Sequence, residues 1–217
     1  MSAPTRPNLL MIVSSAVEGV SAQSFVQAYN LAFPTFTIQL ASPNGRQIEY
    51  VHQDDSNRRW FNEFRSKANS MPIPLESVDA NRYSAMLIPA APGALHDLFS
   101  SKDLAQIVVH FVKEKKAICA VGDGVAGLCG ARLQNNKEWC FQDYSLTATS
   151  LNEAARESLF TSLPVLLEDF IKDHGGNYNR SRADAIHVVI DRHVITGQNI
   201  QSTLTAVQNL ILMCSQK

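Results

Sequence analysis

A mainly parallel β-sheet covered by helices on both faces, an α/β three-layer sandwich, is the fold class that this sequence predicts. Two patterns predict it. Short, continuous apolar runs recur at strand length, as expected for strands buried on both sides. Amphipathic helical stretches alternate with those runs, which is the element order of a parallel sheet. The short connections imply right-handed crossovers. With no internal repeat, low-complexity tract or linker, residues 1–217 are read as a single domain, and 217 residues allow a substantial core.

The elements follow in order. The run 8–14 is the first strand, and residues 21–31 are a helix with Phe25, Ala28 and Tyr29 at helical spacing. Residues 36–41 are the second strand, closed by the turn Ser42-Pro43-Asn44-Gly45. Residues 56–68 form an amphipathic helix around Trp60, Phe61 and Phe64, and 71–75, with Pro72 and Pro74, read as a loop. Residues 85–89 are the third strand, 98–115 a long helix with Leu104, Ile107, Val108 and Phe111 inward, and 117–121 a further strand. Residues 139–147 resemble a short strand pair, and 166–173 a helix ended by Gly175-Gly176. Strands 186–190 and 193–196 flank a tight Asp191-Arg192 connection, and 202–213 is the closing helix.

Charge excludes some functions. A formal net charge of −1 gives no electrostatic drive toward nucleic acid or an anionic membrane. The pairs Arg58-Arg59 and Lys115-Lys116 read as solvated helix faces. No apolar run nears the ~18 residues that span a bilayer, and Met1 to Asn8 lacks a leader's apolar core. Cys119, Cys129, Cys140 and Cys214 have irregular spacing without a metal-site pattern, so they read as reduced, buried thiols of a cytoplasmic protein. No cofactor is expected, and neither direct nucleic-acid binding nor membrane insertion.

Residues 115–129 carry the most chemistry. The strand 117–121 ends in Gly122-Asp123-Gly124, and the helix-suited residues 125–129 follow. A strand turning abruptly into a helix is how many acyl-transfer enzymes present a Ser or Cys beside backbone N–H groups that stabilise an oxyanion. Here the tip, Gly122, has no side chain. Cys119, three strand residues back, lies about 10 Å from the turn and inside the sheet, which suits packing rather than reactivity. Cys129, seven residues into the helix, is about 10 Å away on the other side. Asp123 fits a helix-capping role, or a general acid or base partnered by His96 or His187. His96 follows Pro92-Gly93-Ala94-Leu95 and could line the same pocket. Gln198 and Asn199 suit a hydrogen-bonded lock on loop backbone near its mouth. Thr147 and Ser150 lack a base at activating spacing.

These motifs, in order, resemble the class I glutamine amidotransferase-like superfamily, in the branch of PfpI-type peptidases and Hsp31-like chaperone/glyoxalases. Ile38 to Gly45 is similar to its second strand and Ser-Pro-x-Gly turn. Leu87-Ile88-Pro89 with Pro92-Gly93-Ala94 and Asp97-Leu98 resembles its third strand and oxyanion-side loop, and Lys116 to Leu128 its elbow. Leu167-Glu168-Asp169, Asp191, and Thr196-Gly197-Gln198-Asn199 with Ser202 resemble its C-terminal signature. The resemblance implies a flavodoxin-like sandwich. It also exposes departures: Gly122-Asp123 stands where the family has Cys-His, and Ala90-Ala91 where it has an oxyanion-loop Gly-Gly. The family's thiol-bonding glutamate is missing near Gln23 and Ser24.

A vertebrate branch of the superfamily shares Glu18-Gly-Val-Ser-Ala-Gln-Ser24 and Thr196-Gly-Gln-Asn199. Likeness to it implies a non-catalytic scaffold subunit of the endosomal FERRY complex, a Rab effector that links early endosomes to mRNA transport. It implies self-association as a homodimer or homotetramer, and the other FERRY subunits as partners. Gly122, Asp123, Cys119, His96 and Gln198 then mark a vestigial elbow pocket. Two alternatives stay open: a residual thiol enzyme of glyoxalase, deglycase or peptidase type, and a small-metabolite sensor using the vacated pocket.

Overall fold

Apolar runs and cap residues together set the elements in the computed structural model, which describes residues 6–133 and 138–215. Strand β1 (Asn8–Ile12) is followed by the short β2 (Val20–Ser21) and helix α1 (Ala22–Ala32). The Ser21 hydroxyl accepts the Ser24 N–H and caps α1. Next come β3 (Thr37–Ser42), β4 (Tyr50–Val51) and α2 (Asp55–Phe64), capped by the Asp54 carboxylate. The middle of the chain forms β5 (Ile73–Pro74), β6 (Ala85–Ile88), α3 (Lys102–Lys113), β7 (Ala117–Val121) and α4 (Ala126–Cys129). Then follow β8 (Ser145–Leu146), α5 (Leu151–Ala154), α6 (Leu167–Asp173) and β9 (Asn177–Tyr178). The hairpin β10 (Val188–Asp191) and β11 (Val194–Gly197) leads into α7 (Thr203–Ser215).

The described residues build a seven-stranded sheet in the order β10-β11-β7-β6-β1-β3-β5. Its ladders are parallel except β10 with β11. Helices cover both faces, giving the three-layer α/β/α sandwich that the sequence predicts; α7 packs on β7 and β11 and against α1, and α3 packs on α4. The residues of β6 and β7 are buried throughout, which explains their continuous apolar sequence. Phe25 sits between α1 and α2, with the rings of Tyr50 and Phe64 at 5.0 and 5.6 Å between centroids.

Several expectations are corrected. Residues 71–75 contain a strand, not only loop: β5 pairs with the sheet edge at Ala41↔Ile73 and Ser42↔Pro74. An edge tolerates proline because one side of the strand needs no donor. Residues 139–147 form no strand pair of their own. Trp139 bridges Arg132, and β8 pairs in parallel with the distant β9. Trp139, Phe141 and Tyr144 instead stack edge to face, so the alternation of aromatics there reflects packing in turns.

The hairpin connection is Arg192-His193 rather than Asp191-Arg192, because Asp191 still pairs with Val194. Arg192 takes φ +56° and lays its guanidinium over the Tyr144 ring at 4.0 Å. Helix α3 starts at Lys102, later than expected, because the Ser101 hydroxyl accepts the Leu104 N–H and fixes the cap there. Helix α2 stops at Phe64 and β1 at Ile12, each short of the expected span. No helix among the described residues is long and apolar enough to cross a membrane. Part of the leader reading falls on residues 1–5, outside the described residues.

Candidate functional site

The turn after β7 is the structural centre of the site. Strand β7 runs straight to Val121, and Gly122 then takes φ +54°, a left-handed conformation in which glycine carries no steric penalty. A 3-10 turn over Gly122–Val125 continues into α4. This bend lies at the carboxyl ends of the parallel strands β6 and β7, where crevices of α/β sheets take their ligands. A Cβ built on Gly122 would point toward Ala90 Cβ at 3.3 Å and Thr149 Oγ1 at 3.5 Å. Two residues later the chain is far tighter: a Cβ on Gly124 would fall 2.4 Å from the Pro89 carbonyl oxygen.

A cleft of about 590 Å³ opens over this bend. Gly122, Asp123 and His96 line it, as do Ala90, Thr149 and Asn199. Cys119 is not brought to it. Its side chain lies fully buried in the sheet, on a strand flanked by Leu87 and Ile195, and burial pushes the thiol well above its ordinary range. Cys129 is buried in α4 and shifted upward for the same reason. Gln198 is fully buried behind the wall: its Oε1 accepts the Ser181 N–H at 2.9 Å and its Nε2 donates to Glu153 Oε2 at 2.9 Å.

Asp123 does not cap a helix. No side-chain capping bond closes either the 3-10 turn or α4, because the turn runs into the helix and leaves Asp123 inside it. Its carboxylate instead accepts a hydrogen bond from the Thr149 hydroxyl. Nor does His187 meet it: the His187 Nδ1 lies 3.0 Å from Ser181 Oγ, and its backbone N–H donates to Ser202 Oγ. His96 faces Glu18, with Nε2 3.8 Å from Oε1. The Ala90 N–H, on the loop where an oxyanion donor would be sought, donates to Ser24 Oγ at 3.0 Å and is already engaged.

The residue that organises the cleft wall is Glu153, which the sequence reading passed over. Its Oε2 accepts from Ser150 N and Oγ at 3.0 and 2.6 Å and from Gln198 Nε2. Its Oε1 accepts from Asp184 N at 3.0 Å and Asn199 Nδ2 at 2.8 Å. Burial pushes this carboxyl upward, but the hydrogen bonds from Ser150, Asn199 and the Asp184 backbone together hold it below its usual value. Ser150 and Glu153 also form a reciprocal capping box at α5. The spacing Ser150-x-x-Glu153 was a legible signal for that cap, though not for the reach to Asn199 and Gln198.

Asp123 shows the opposite balance. Burial pushes its carboxyl up to about 6, the Thr149 hydrogen bond opposes this, and the nearby Glu157 and Glu153 add to the rise. The native state therefore holds this proton more tightly than the unfolded chain. Stability contributed by protonated Asp123 is complete below about pH 4 and is lost as pH rises through about 6. Asp123→Asn, which keeps an acceptor for Thr149, is expected to stabilise the protein by about 2 kcal/mol at pH 7.5. Urea denaturation across pH 4 to 7.5 checks this: the gain should vanish at the acid end, and an equal gain at every pH would contradict the assignment.

No family model matches the chain. The chain is 50% identical over 213 residues to glutamine amidotransferase-like class 1 domain-containing protein 1 of Danio rerio, covering 98% of this chain and 99% of the relative. The Homo sapiens protein of the same name is 50% identical over 214 residues, covering 99% and 97%. Among solved structures, the Rapid Encystment Protein 24 KDa of Francisella tularensis superposes with a TM-score of 0.85 at 23% identity, covering 96% of this chain and 99% of that one. Glyoxalase III of Candida albicans gives 0.84 at 18%, covering 95% and 97%; Drosophila melanogaster DJ-1beta gives 0.62 at 14%, covering 98% and 92%. These structures share the fold. Among the described residues, no group of three or more His, Cys, Asp or Glu is placed to hold a metal ion.

Proposed function

The chain belongs to the family of glutamine amidotransferase-like class 1 domain-containing proteins, and we propose that within it the protein is a non-catalytic scaffold subunit. The observation that carries this reading is the bend at Gly122. It has the left-handed backbone of a nucleophile-bearing turn, at φ +54°, with hydrogen in place of an attacking atom. We take Gly122 as the replacement of the family's nucleophile, and Asp123 as the replacement of its base. Cys119 and Cys129, the thiols nearest in sequence, are fully enclosed and raised in pKa, which counts against a rescue nucleophile. The engaged Ala90 N–H further supports a site that no longer stabilises an oxyanion.

In this proposal the scaffold is a single domain over residues 1–217. It assembles with itself as a homodimer or homotetramer and with the other subunits of the FERRY complex, on the cytoplasmic face of early endosomes. Partners, rather than this chain of net charge −1, contact messenger RNA. A second reading, a metabolite sensor, is favoured by the size of the cleft, about 590 Å³, which is within the range of small-molecule sites. The two are compatible, since a scaffold can carry a ligand without transforming it.

Two measurements test the scaffold. Iodoacetamide at neutral pH should label neither Cys119 nor Cys129 rapidly in the folded protein, and mass measurement of complexes copurified from cytosol should find the chain in a stoichiometric multi-subunit assembly. Rapid labelling of one of these cysteines, with glyoxalase or peptidase turnover that disappears on its change to alanine, would establish the thiol enzyme instead.

A further inference from the structure

We propose that the cleft over the β6 and β7 strand ends binds a small organic cation: an amine or guanidinium on a short apolar body. The inference rests on the non-catalytic reading of this cleft and adds the class of ligand it takes. Three features of the cleft select that class.

The first is the balance of charge. Glu18, Asp123, Glu153, Glu157 and Asp184 line the cleft, whereas Arg156 is the single Lys or Arg among its described lining residues. Arg156 already pairs with Asp184. Beside the His52 and His96 imidazoles, the latter facing Glu18, an anionic ligand would therefore meet several carboxylates and, among the described lining residues, no unpaired guanidinium or ammonium. The second is which oxygens remain available. Glu153 remains ionised, but its hydrogen bonds all come from neutral donors of the protein, so it supplies field rather than a contact. Asp123 is different. It lines the cleft, and among the described residues the Thr149 hydroxyl is the one donor set against its carboxylate, which leaves acceptor capacity there. Glu157, exposed and lining the same cleft, adds to its negative field, which a bound cation would offset.

The third feature is apolar lining: Leu95, Leu159, Leu163 and Ile200 offer carbon surface in the same cleft. Leu159 is 61% exposed, an apolar side chain left open at the cleft edge. A bare metal ion would make no use of that apolar surface, and among the described residues the carboxylates are not gathered into a chelating group. An organic cation uses both kinds of lining: its charged end meets Asp123 in a charge-assisted hydrogen bond, and its carbon chain covers the leucines.

Isothermal titration with agmatine, which carries both an amine and a guanidinium on a four-carbon chain, tests the proposal, with butyrate as the matched anion. Agmatine should bind saturably at one site and raise the melting temperature with concentration, while butyrate does neither. Asp123→Asn should weaken agmatine binding about tenfold or more, because a charge-assisted contact is lost. That variant is expected to be more stable, so its loss of binding would not reflect misfolding. Glu157→Gln, at the rim, should weaken binding about threefold, the smaller effect of an exposed charge. The absence of saturable binding at millimolar agmatine, equal binding of butyrate, or undiminished binding by Asp123→Asn would each overturn the proposal. Consumption of bound agmatine would support the ligand class while overturning the non-catalytic reading beneath it, so the two fail separately.

Discussion

Gly124→Ala is expected to destabilise the protein by about 4 kcal/mol, at the upper end for a single substitution. The added Cβ would lie 2.4 Å from the Pro89 carbonyl oxygen and 2.9 Å from that of Ile88. A carbon and a carbonyl oxygen ordinarily stop at about 3.3 Å. Both obstacles are backbone at the end of β6, a strand buried between β1 and β7, so neither can swing aside as a side-chain tip would. Gly122→Ala should cost much less, about 1–2 kcal/mol for an alanine at positive φ, because its nearest neighbour is the Ala90 methyl at 3.3 Å. Urea midpoints for the two variants, at unchanged slope, give the comparison. Equal costs would mean that the turn relaxes away from β6, and that the cleft floor is softer than the packing implies.

The same pair of glycines shows where sequence suffices and where it stops. Strand β7 was legible to its exact ends, because an apolar pentapeptide flanked by Lys116 and Gly122 admits few other states. The Gly-Asp-Gly turn was legible as a turn. What could not be read was which glycine is required by conformation and which by crowding. Gly122 needs its φ, whereas Gly124 needs the absence of a side chain against a strand that lies far away in sequence. Strand β5 escaped notice for a related reason: Pro72 and Pro74 are poor strand residues in general, and only their place at a sheet edge makes them acceptable.

At the site, sequence proximity misled in both directions. Cys119 and Asp123 are four residues apart, yet one is sealed in the sheet and the other lines the cleft. Gln198 and Asn199 are adjacent, and only Asn199 reaches the cleft. Glu153 joins residues that are 31 to 46 positions away, a convergence that no local pattern encodes. Charge composition was similarly silent: a net charge of −1 over the whole chain conceals a cleft rich in carboxylates.

Glu153→Gln is the substitution that exposes this convergence, and its expected cost is about 3 kcal/mol despite the near-identical shape. A glutamine must place its NH₂ on one side or the other. On the Oε1 side it would face the donors Asp184 N and Asn199 Nδ2; on the Oε2 side, Ser150 N and Gln198 Nε2. The amides cannot turn over to accommodate it. The Asn199 Oδ1 accepts from Ser202 N and Oγ, while its Nδ2 also donates to the Ala185 carbonyl. The Gln198 Oε1 accepts from Ser181 N. Either orientation therefore leaves donors facing one another, and with the NH₂ on the Oε2 side α5 also loses half of its capping box. The pH dependence has a definite sign. Because the folded carboxyl lies below its ordinary value, its contribution is complete above about pH 5 and is lost as pH falls through the lowered pKa. Urea denaturation should thus show the gap between wild type and Glu153→Gln at its widest near neutrality and narrowing in acid. Glu157→Gln, four residues on and exposed at the rim, should stay within about 0.5 kcal/mol of wild type. If Glu153→Gln proves equally neutral, the wall is not held by this carboxylate, and the cleft it shapes is not a fixed feature of the fold.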